Sequence, residues 1–268
     1  MKPAASLTLV GAGRMGSALL HGWLKGPERE ISVIEPSPRP EIRALAEEGR
    51  IQLNPAPSES SIIVLAVKPQ QFAAVSEQAK AFVGPKSVAI SIMAGVRLAQ
   101  LSRRLGTERV IRSMPNTPGA IGQGVTVFTA PEGAKRTDLS AARELLAPLG
   151  EVHGPVDEAM MSAVTALSGS GPAYIFLLAE VMAEAGVAQG LPRDLALSLA
   201  RRTVEGAAAL MGESGDSPEA LRKAVTSPGG TTQAALDILM DTGGMPALFR
   251  NALSAAANRD RQLSQEAD

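Results

Sequence analysis

The segment Leu7–Leu24, "LTLVGAGRMGSALLHGWL", decides how the rest of the chain reads. A short apolar run meets three glycines, Gly11, Gly13 and Gly16, and then passes into a helical pattern. That order is strand, tight turn, helix. Gly11 permits the turn. Gly13, next to Ala12, lets the backbone approach a phosphate, and Gly16 lets helix and strand pack closely. The helix start offers free N–H groups and a positive dipole end, which suits a pyrophosphate. The reading is a dinucleotide site on the first turn of an alternating chain.

The alternation continues outward from this segment. Apolar runs at 6–10, 31–35, 61–67, 87–92, 109–114 and 124–130 read as strands, with amphipathic helices between them. Strands separated by helices predict a largely parallel sheet covered on both faces. After residue 155 the β-branched runs vanish. Helices are expected at about 156–167, 171–188, 193–212, 217–226, 230–241 and 246–265, broken at "GSGP", "GLP", "SP", "SPGG" and "GGMP". The predicted division is therefore an α/β domain over 1–155 and a helical domain over 156–268. The segment "PAYIFLLAEVMAEAGVA" is apolar around nearly its whole circumference, which implies burial on all sides. Either the domain's own helices wrap it, or a second copy of the chain does so across a large interface.

Composition narrows the chemistry. The 268 residues are 45% hydrophobic and 20% charged, with a formal net charge of -1. This balance gives no electrostatic reason to expect nucleic acid or an anionic membrane as partner. With no cysteine, thiol nucleophiles, disulfides and thiolate metal sites are excluded. His21 and His153 stand alone and read as structural, and no carboxylate cluster suggests a metal. No uninterrupted apolar run reaches the roughly 18 residues of a membrane span. The start of the chain shows no basic-then-apolar leader, so the cytoplasm is the expected compartment.

Ligands of doubly wound sheets lie beyond the carboxyl ends of the strands. The second strand ends in "VIEPSPRP". Glu35 stands where an acid accepts the ribose hydroxyls of NADH, while Ser37 and Arg39 suit the 2′-phosphate of NADPH. A carboxylate repels that phosphate unless it turns away, so NADH is slightly favoured and NADPH stays open. Three further strand ends carry candidates: Lys68 and Pro69, Ala94 and Gly95, and Met114, Pro115 and Asn116. Proline-rich, well-fixed loops at this edge suit a flat nicotinamide ring. A solvated surface lysine is the plain alternative for Lys68.

Five motifs in order, "GAGRMGSALL", "AVKPQ", "RSMPNTP", "TALSGSGPAYIF" and "SPGGTTQAAL", resemble those of the pyrroline-5-carboxylate reductase family. The resemblance runs from the first strand to about Arg261. It implies an N-terminal Rossmann-like doubly wound domain and a C-terminal all-helical dimerisation domain. It also implies reduction of 1-pyrroline-5-carboxylate to L-proline by NADPH or NADH, in a homodimer or an oligomer of dimers. Carried over by position, the family's cofactor contacts fall on Gly11, Gly13, Met15, Gly16, Asn54, Ala66, Lys68 and Pro69. Its substrate site falls on Thr165, Ser227, Gly230, Thr231 and Thr232, with Thr165 as the donor to the ring nitrogen. Helix packing is the alternative role for Thr165.

The uncharged stretch Val225–Leu236, "VTSPGGTTQAAL", then acquires a task. Ser227 is expected to cap a helix that starts at Pro228. Gly229 and Gly230 leave N–H groups uncovered, and Thr231 and Thr232 add hydroxyls, which together cradle a carboxylate. A plain capped loop accounts for the Ser-Pro pair alone. "LSGSGP", residues 167–172, is expected to break the helix and admit a ligand to the backbone. A β-hydroxyacid dehydrogenase shares the layout, but those enzymes resemble one another in carrying a lysine soon after the glycine pair, and this helix has none. A reductase of a related cyclic imine acid, such as piperideine carboxylate, and a non-catalytic dinucleotide sensor remain as alternatives.

Overall fold

The structure, a computed structural model, describes residues 6–266. The chain divides into two compact units. One runs through Gly169 and resumes at Ala256; the other is Ser170–Ala255. This division differs from the one expected after residue 155. Polar side chains tie the segments around Ser162 and Asp260 to each other, and Gln100 to the main chain of Ser264, within the first unit.

The first unit holds an eight-stranded sheet in the order β3-β2-β1-β4-β5-β6-β7-β8. Its strands are β1 (Leu7–Val10), β2 (Ile31–Ile34), β3 (Gln52–Leu53), β4 (Ser60–Leu65), β5 (Val83–Ser91), β6 (Val110–Met114), β7 (Gly124–Thr129) and β8 (Gly150–His153). β1 lies between β2 and β4, with Val10 opposite Ile34 on one side and Leu65 on the other. Pairing is parallel from β3 through β6; β7 runs antiparallel to β6, and β8 runs parallel to β7. The carboxyl ends of β1, β2, β4, β5 and β6 therefore share one edge. β1 and β2 are buried along their whole length, as strands covered on both faces must be.

Helices α1 (Arg14–Trp23), α2 (Pro40–Glu47), α3 (Phe72–Lys80), α4 (Leu98–Leu105) and α5 (Arg136–Leu146) connect the strands. Alternate side chains of one strand enter opposite cores. Leu9 packs with Leu19, Trp23 and Leu145, while Val10 packs with Phe72, Phe82 and Leu101. Trp23 satisfies its indole N–H on the carbonyl of Leu145 at 2.8 Å. The two-residue β3 has no counterpart among the expected strands.

The next helical stretch corrects one expectation. α6 (Met161–Val164) does not break at "LSGSGP" but passes into a π-helical turn, Thr165–Gly169, and a bend at Ser170. α7 (Gly171–Ala188) follows directly, with Pro172 in its first turn. A π-turn absorbs an extra residue without ending a helix, and proline is tolerated at a helix start.

The second unit holds α7, α8 (Arg193–Ser214), α9 (Pro218–Ala224), α10 (Thr231–Leu239) and the first half of α11 (Met245–Glu266). Tyr174 of α7 meets Phe249 of α11 edge-on, with ring centres 6.1 Å apart. Yet Phe176 is 67% exposed, and Ile175, Leu177 and Val181 are exposed beside it. The helices of one chain do not wrap α7, so the reading in which they do is set aside. The stretch Glu158–Ala188 is also long and apolar enough to cross a membrane by length and composition, although no uninterrupted apolar run in it reaches that length.

Arg109, just before β6, grips Asp138 in the first turn of α5 with two hydrogen bonds of 2.9 and 2.7 Å. This bonding holds the Asp138 carboxyl below the usual aspartate range, with Thr137 assisting. The folded chain thus binds this proton less readily than the unfolded chain. The pair's contribution, about 1.5–3 kcal/mol, is present above about pH 4 and is lost as pH falls through the lower folded value. Asp138→Asn is expected to lower the melting temperature at neutral pH, with the deficit shrinking below about pH 3. An equal deficit at both pH values contradicts the pairing.

Candidate functional site

The glycine turn sits at the carboxyl end of β1, where the sheet order reverses between β1 and β4. Gly11 has φ +93°, and a Cβ there would lie 2.8 Å from the carbonyl oxygen of Ala66 and from Val67 Cγ1. A Cβ on Gly16 would overlap the carbonyl of Gly11 and press on the Ala66 methyl at 3.2 Å. Both glycines are therefore required by packing alone. Gly13 differs: a Cβ there would meet nothing within 4 Å. It is the N-cap of α1 and, lacking a side chain, makes no cap bond to the first-turn amides. An open face over free N–H groups fits a dinucleotide pyrophosphate. Ala12 is buried, and Met15 packs its side chain on the sheet core.

Glu35, at the end of β2, reaches back to this turn. Its Oε2 accepts the N–H of Ala12 at 2.9 Å, and its Oε1 accepts the N–H of Ser37 at 3.0 Å. Asn54, at φ +49°, brackets the Glu35 main chain: its Oδ1 accepts the Glu35 N–H at 2.9 Å and its Nδ2 donates to the Glu35 carbonyl at 3.0 Å. Arg39 donates to Ser17 Oγ at 2.6 Å and pairs with Glu41 at 3.0 Å. Arg14, Ser17, Lys25, Arg39 and Gly119 line a cleft of about 600 Å³ along α1. Arg14, exposed beside Gly13, was not among the expected site residues. Its place directly after the second glycine was the available signal.

The remaining strand ends differ in character. Ala66 continues β4 through its N–H to Val10, 2.8 Å away. Lys68 is exposed, and its N–H is held by Gln71 Oε1 at 3.2 Å where Pro69 opens a short 3₁₀ turn. Ala94 is half-buried after β5. Beyond β6, Asn116 Oδ1 accepts the N–H of Val125 at 2.9 Å, and its Nδ2 points to Ser168 Oγ at 3.4 Å. The terminal methyl of Met114 lies where a Cβ on Gly169 would have to be. The loop after β6 and the π-turn are thus brought together in the first unit. Ser168 was read only as part of a helix break, so its position facing Asn116 was missed. The half-buried Thr165 stands at the start of that turn and donates to the Met161 carbonyl at 3.0 Å.

In the second unit the expected cap at Ser227 is corrected. Residues Ser227–Gly230 form a β-turn, closed by the Gly230 N–H on the Ser227 carbonyl at 3.0 Å. Pro228 takes the second position and Gly229, at φ +72°, the third. Proline followed by a positive-φ glycine is the chemistry of a type II turn, which competes with a helix start. α10 begins one turn later, with Gly230 as its N-cap and so no side-chain cap bond, and with the Ser227 hydroxyl close beside Gly230. Thr231 and Thr232 occupy that first turn.

A largely parallel sheet with a packed glycine turn at its crossing, an acid at the second strand's end and an uncapped helix start defines a dinucleotide-binding protein of the Rossmann class. Residues 6–95 match the family model described as NADP oxidoreductase, coenzyme F420-dependent, and residues 158–263 match that for pyrroline-5-carboxylate reductase dimerisation. The chain is 39% identical to the pyrroline-5-carboxylate reductase of Pisum sativum, over 97% of this chain and 96% of that one. Against the Pseudomonas aeruginosa enzyme it is 36% identical over 97% of each. The solved pyrroline-5-carboxylate reductase of Coxiella burnetii superposes with a TM-score of 0.87 at 33% identity, over 97% of this chain and 99% of that one. The Plasmodium falciparum structure with NADP bound gives 0.78 at 28%, over 97% and 98%. The chain belongs to the pyrroline-5-carboxylate reductase family.

The two kinds of glycine separate by substitution. Gly16→Ala is expected to lower the melting temperature through its collision with Gly11. Gly13→Ala is expected to leave melting unchanged while weakening NADPH and NADH binding about tenfold or more, measured by cofactor fluorescence. Unchanged binding in Gly13→Ala contradicts the assignment of that open face to the cofactor.

Proposed function

We propose that the chain reduces the C=N bond of 1-pyrroline-5-carboxylate to give L-proline. NAD(P)H, held along Gly11–Gly16 and the strand ends at Glu35, Ser37, Arg39, Asn54, Ala66, Lys68, Pro69, Ala94, Met114 and Asn116, supplies the hydride when bound. The observation that carries the substrate class is the bare start of α10. Uncovered amides and the helix dipole hold a small carboxylate without a countercharge, with Thr231 and Thr232 hydroxyls beside them and Ser227 on the preceding turn.

Thr165, in the first unit, is assigned the role of hydroxyl donor to the ring nitrogen. In the structure that proton is committed to the Met161 carbonyl. Turning it to the substrate exchanges one helix-internal hydrogen bond for one to the ligand, so the net change is small compared with the roughly 1 kcal/mol of a single bond. An imine carries its own proton acceptor, so no strong base is needed. Placement of the reacting groups then accounts for most of the rate. The exposed apolar surface of α7, α8 and α10, where Ile238 is 76% exposed, supports a homodimer built through residues 158–263. The apolar stretch Glu158–Ala188 falls within that dimerisation region, which is consistent with reading the enzyme as cytoplasmic.

The test is loss of NADH or NADPH absorbance on adding 1-pyrroline-5-carboxylate, compared with the six-membered imine acid. Turnover of the five-membered substrate is expected with both cofactors, and none without cofactor. Thr165→Val is expected to keep the melting temperature and cofactor affinity while lowering kcat about 10²-fold or more. An unchanged kcat shows that another donor, such as water, serves the nitrogen.

A further inference from the structure

Arg112 sits in the middle of the sheet, opposite Ser91 of β5 and Thr129 of β7, where an aliphatic side chain is the ordinary choice. Its side chain is 4% exposed. The guanidinium faces Glu158 Oε1 at 3.4 Å and Asp260 Oδ2 at 3.7 Å. Arg112 Nε and Asp260 Oδ1 have no hydrogen-bond partner among the described residues. A buried ion pair with unfilled polar atoms is a poor way to gain stability, because apolar replacements of similar volume often do as well. What such a group adds is direction.

The partners show which direction. Glu158 Oε1 also accepts the Leu98 N–H at the start of α4, at 2.8 Å. Asp260 Oδ2 accepts the Ser162 hydroxyl at 2.8 Å, and Ser264 Oγ donates to the Asp260 carbonyl. Gln100 Nε2 closes the set on the Ser264 carbonyl at 3.0 Å. Glu158, Ser162 and Thr165 are spaced four and then three apart, so they share one face of the helical stretch leading into the π-turn. Arg112 lies two residues before Met114 on the strand whose loop meets that turn at Gly169 and Ser168.

We propose that Arg112 is a positioning residue that sets the rotation of the Glu158–Thr165 stretch against the end of β6. It thereby aims the Thr165 hydroxyl. The inference rests on Thr165 being the donor to the ring nitrogen. If Arg112 is lost, the helix face bearing Glu158 and Ser162 is released, and Thr165 turns with it. The nicotinamide-side loop keeps its own contacts through Asn116 and Val125.

The experiment is a double-mutant cycle on kcat with Arg112→Met and Thr165→Val, alongside KM for both substrates and melting temperature. Arg112→Met is expected to lower kcat about 10–100-fold while the cofactor KM stays within about twofold. In the Thr165→Val background it is expected to change kcat by no more than about 2–3-fold. An equal loss in both backgrounds overturns the proposal and leaves the donor role of Thr165 intact. An unchanged kcat in Thr165→Val alone overturns both. Stability is separated by Arg112→Met combined with Asp260→Leu, which is expected to restore the melting temperature and leave kcat low. If kcat returns together with melting, Arg112 is merely structural. Should Arg112→Met fail to fold, Arg112→Lys carries the cycle: it keeps the charge but not the planar fork, and a kcat between parent and Thr165→Val is expected. A parental kcat in Arg112→Lys overturns the role of the fork.

Discussion

Helices α1 and α10 both begin on a glycine N-cap, Gly13 and Gly230, that has no side chain to bond the first-turn amides. A helix start leaves N–H groups without internal partners, and side chains usually cover them. Where they are left bare, the end of the helix becomes a binding group for an anion. The substrate class assigned to this enzyme depends on that restraint. Both the cofactor pyrophosphate and the imine carboxylate are small anions, and neither is assigned a lysine or arginine as its primary partner. Uncharged donors fixed to the backbone hold an anion without a flexible side chain and without a buried charge that would need a partner of its own when the ligand leaves.

The rest of the first unit serves to hold one such helix end still. Gly11 and Gly16 allow α1 to approach β1 and Ala66 more closely than any other residue permits. Glu35 then braces the turn from the neighbouring strand by accepting the Ala12 N–H, and Asn54 braces Glu35 in turn. A carboxylate oxygen bonded to one N–H keeps lone pairs, so this bracing leaves Glu35 able to accept further hydrogen bonds, as the proposed ribose contact requires. Farther along the same edge, beyond β6, Asn116 likewise ties its own loop to Val125 and faces Ser168.

Much of this was legible in the chain itself. "LVGAGRMG" states the turn because three glycines at that spacing between a strand and a helix have few other uses, and the apolar runs stand far enough apart to require crossing helices. The sequence reading failed where two local structures share one composition. Ser227-Pro228 suits both a capped helix and a type II turn, and the positive φ of Gly229 decided for the turn. "LSGSGP" suits both a break and a π-turn, and the contact of Met114 with the bare Cα of Gly169 accompanies the second. Nor could local pattern show that Arg112 is buried, because its partners Glu158 and Asp260 come from distant parts of the chain. The unwrapped α7 belongs to a different kind of limit: its apolar circumference was plain, but in the single chain Ile175, Phe176, Leu177 and Val181 stay exposed.

The claim that uncharged helix ends do the recognising is tested most directly by a crystal structure of the enzyme with NADP and L-proline bound. The account predicts the proline carboxylate within about 3 Å of main-chain N–H groups in the first turn of α10, with the Thr231 or Thr232 hydroxyl beside it. A carboxylate held instead by an arginine or lysine side chain, away from residues 227–232, contradicts it.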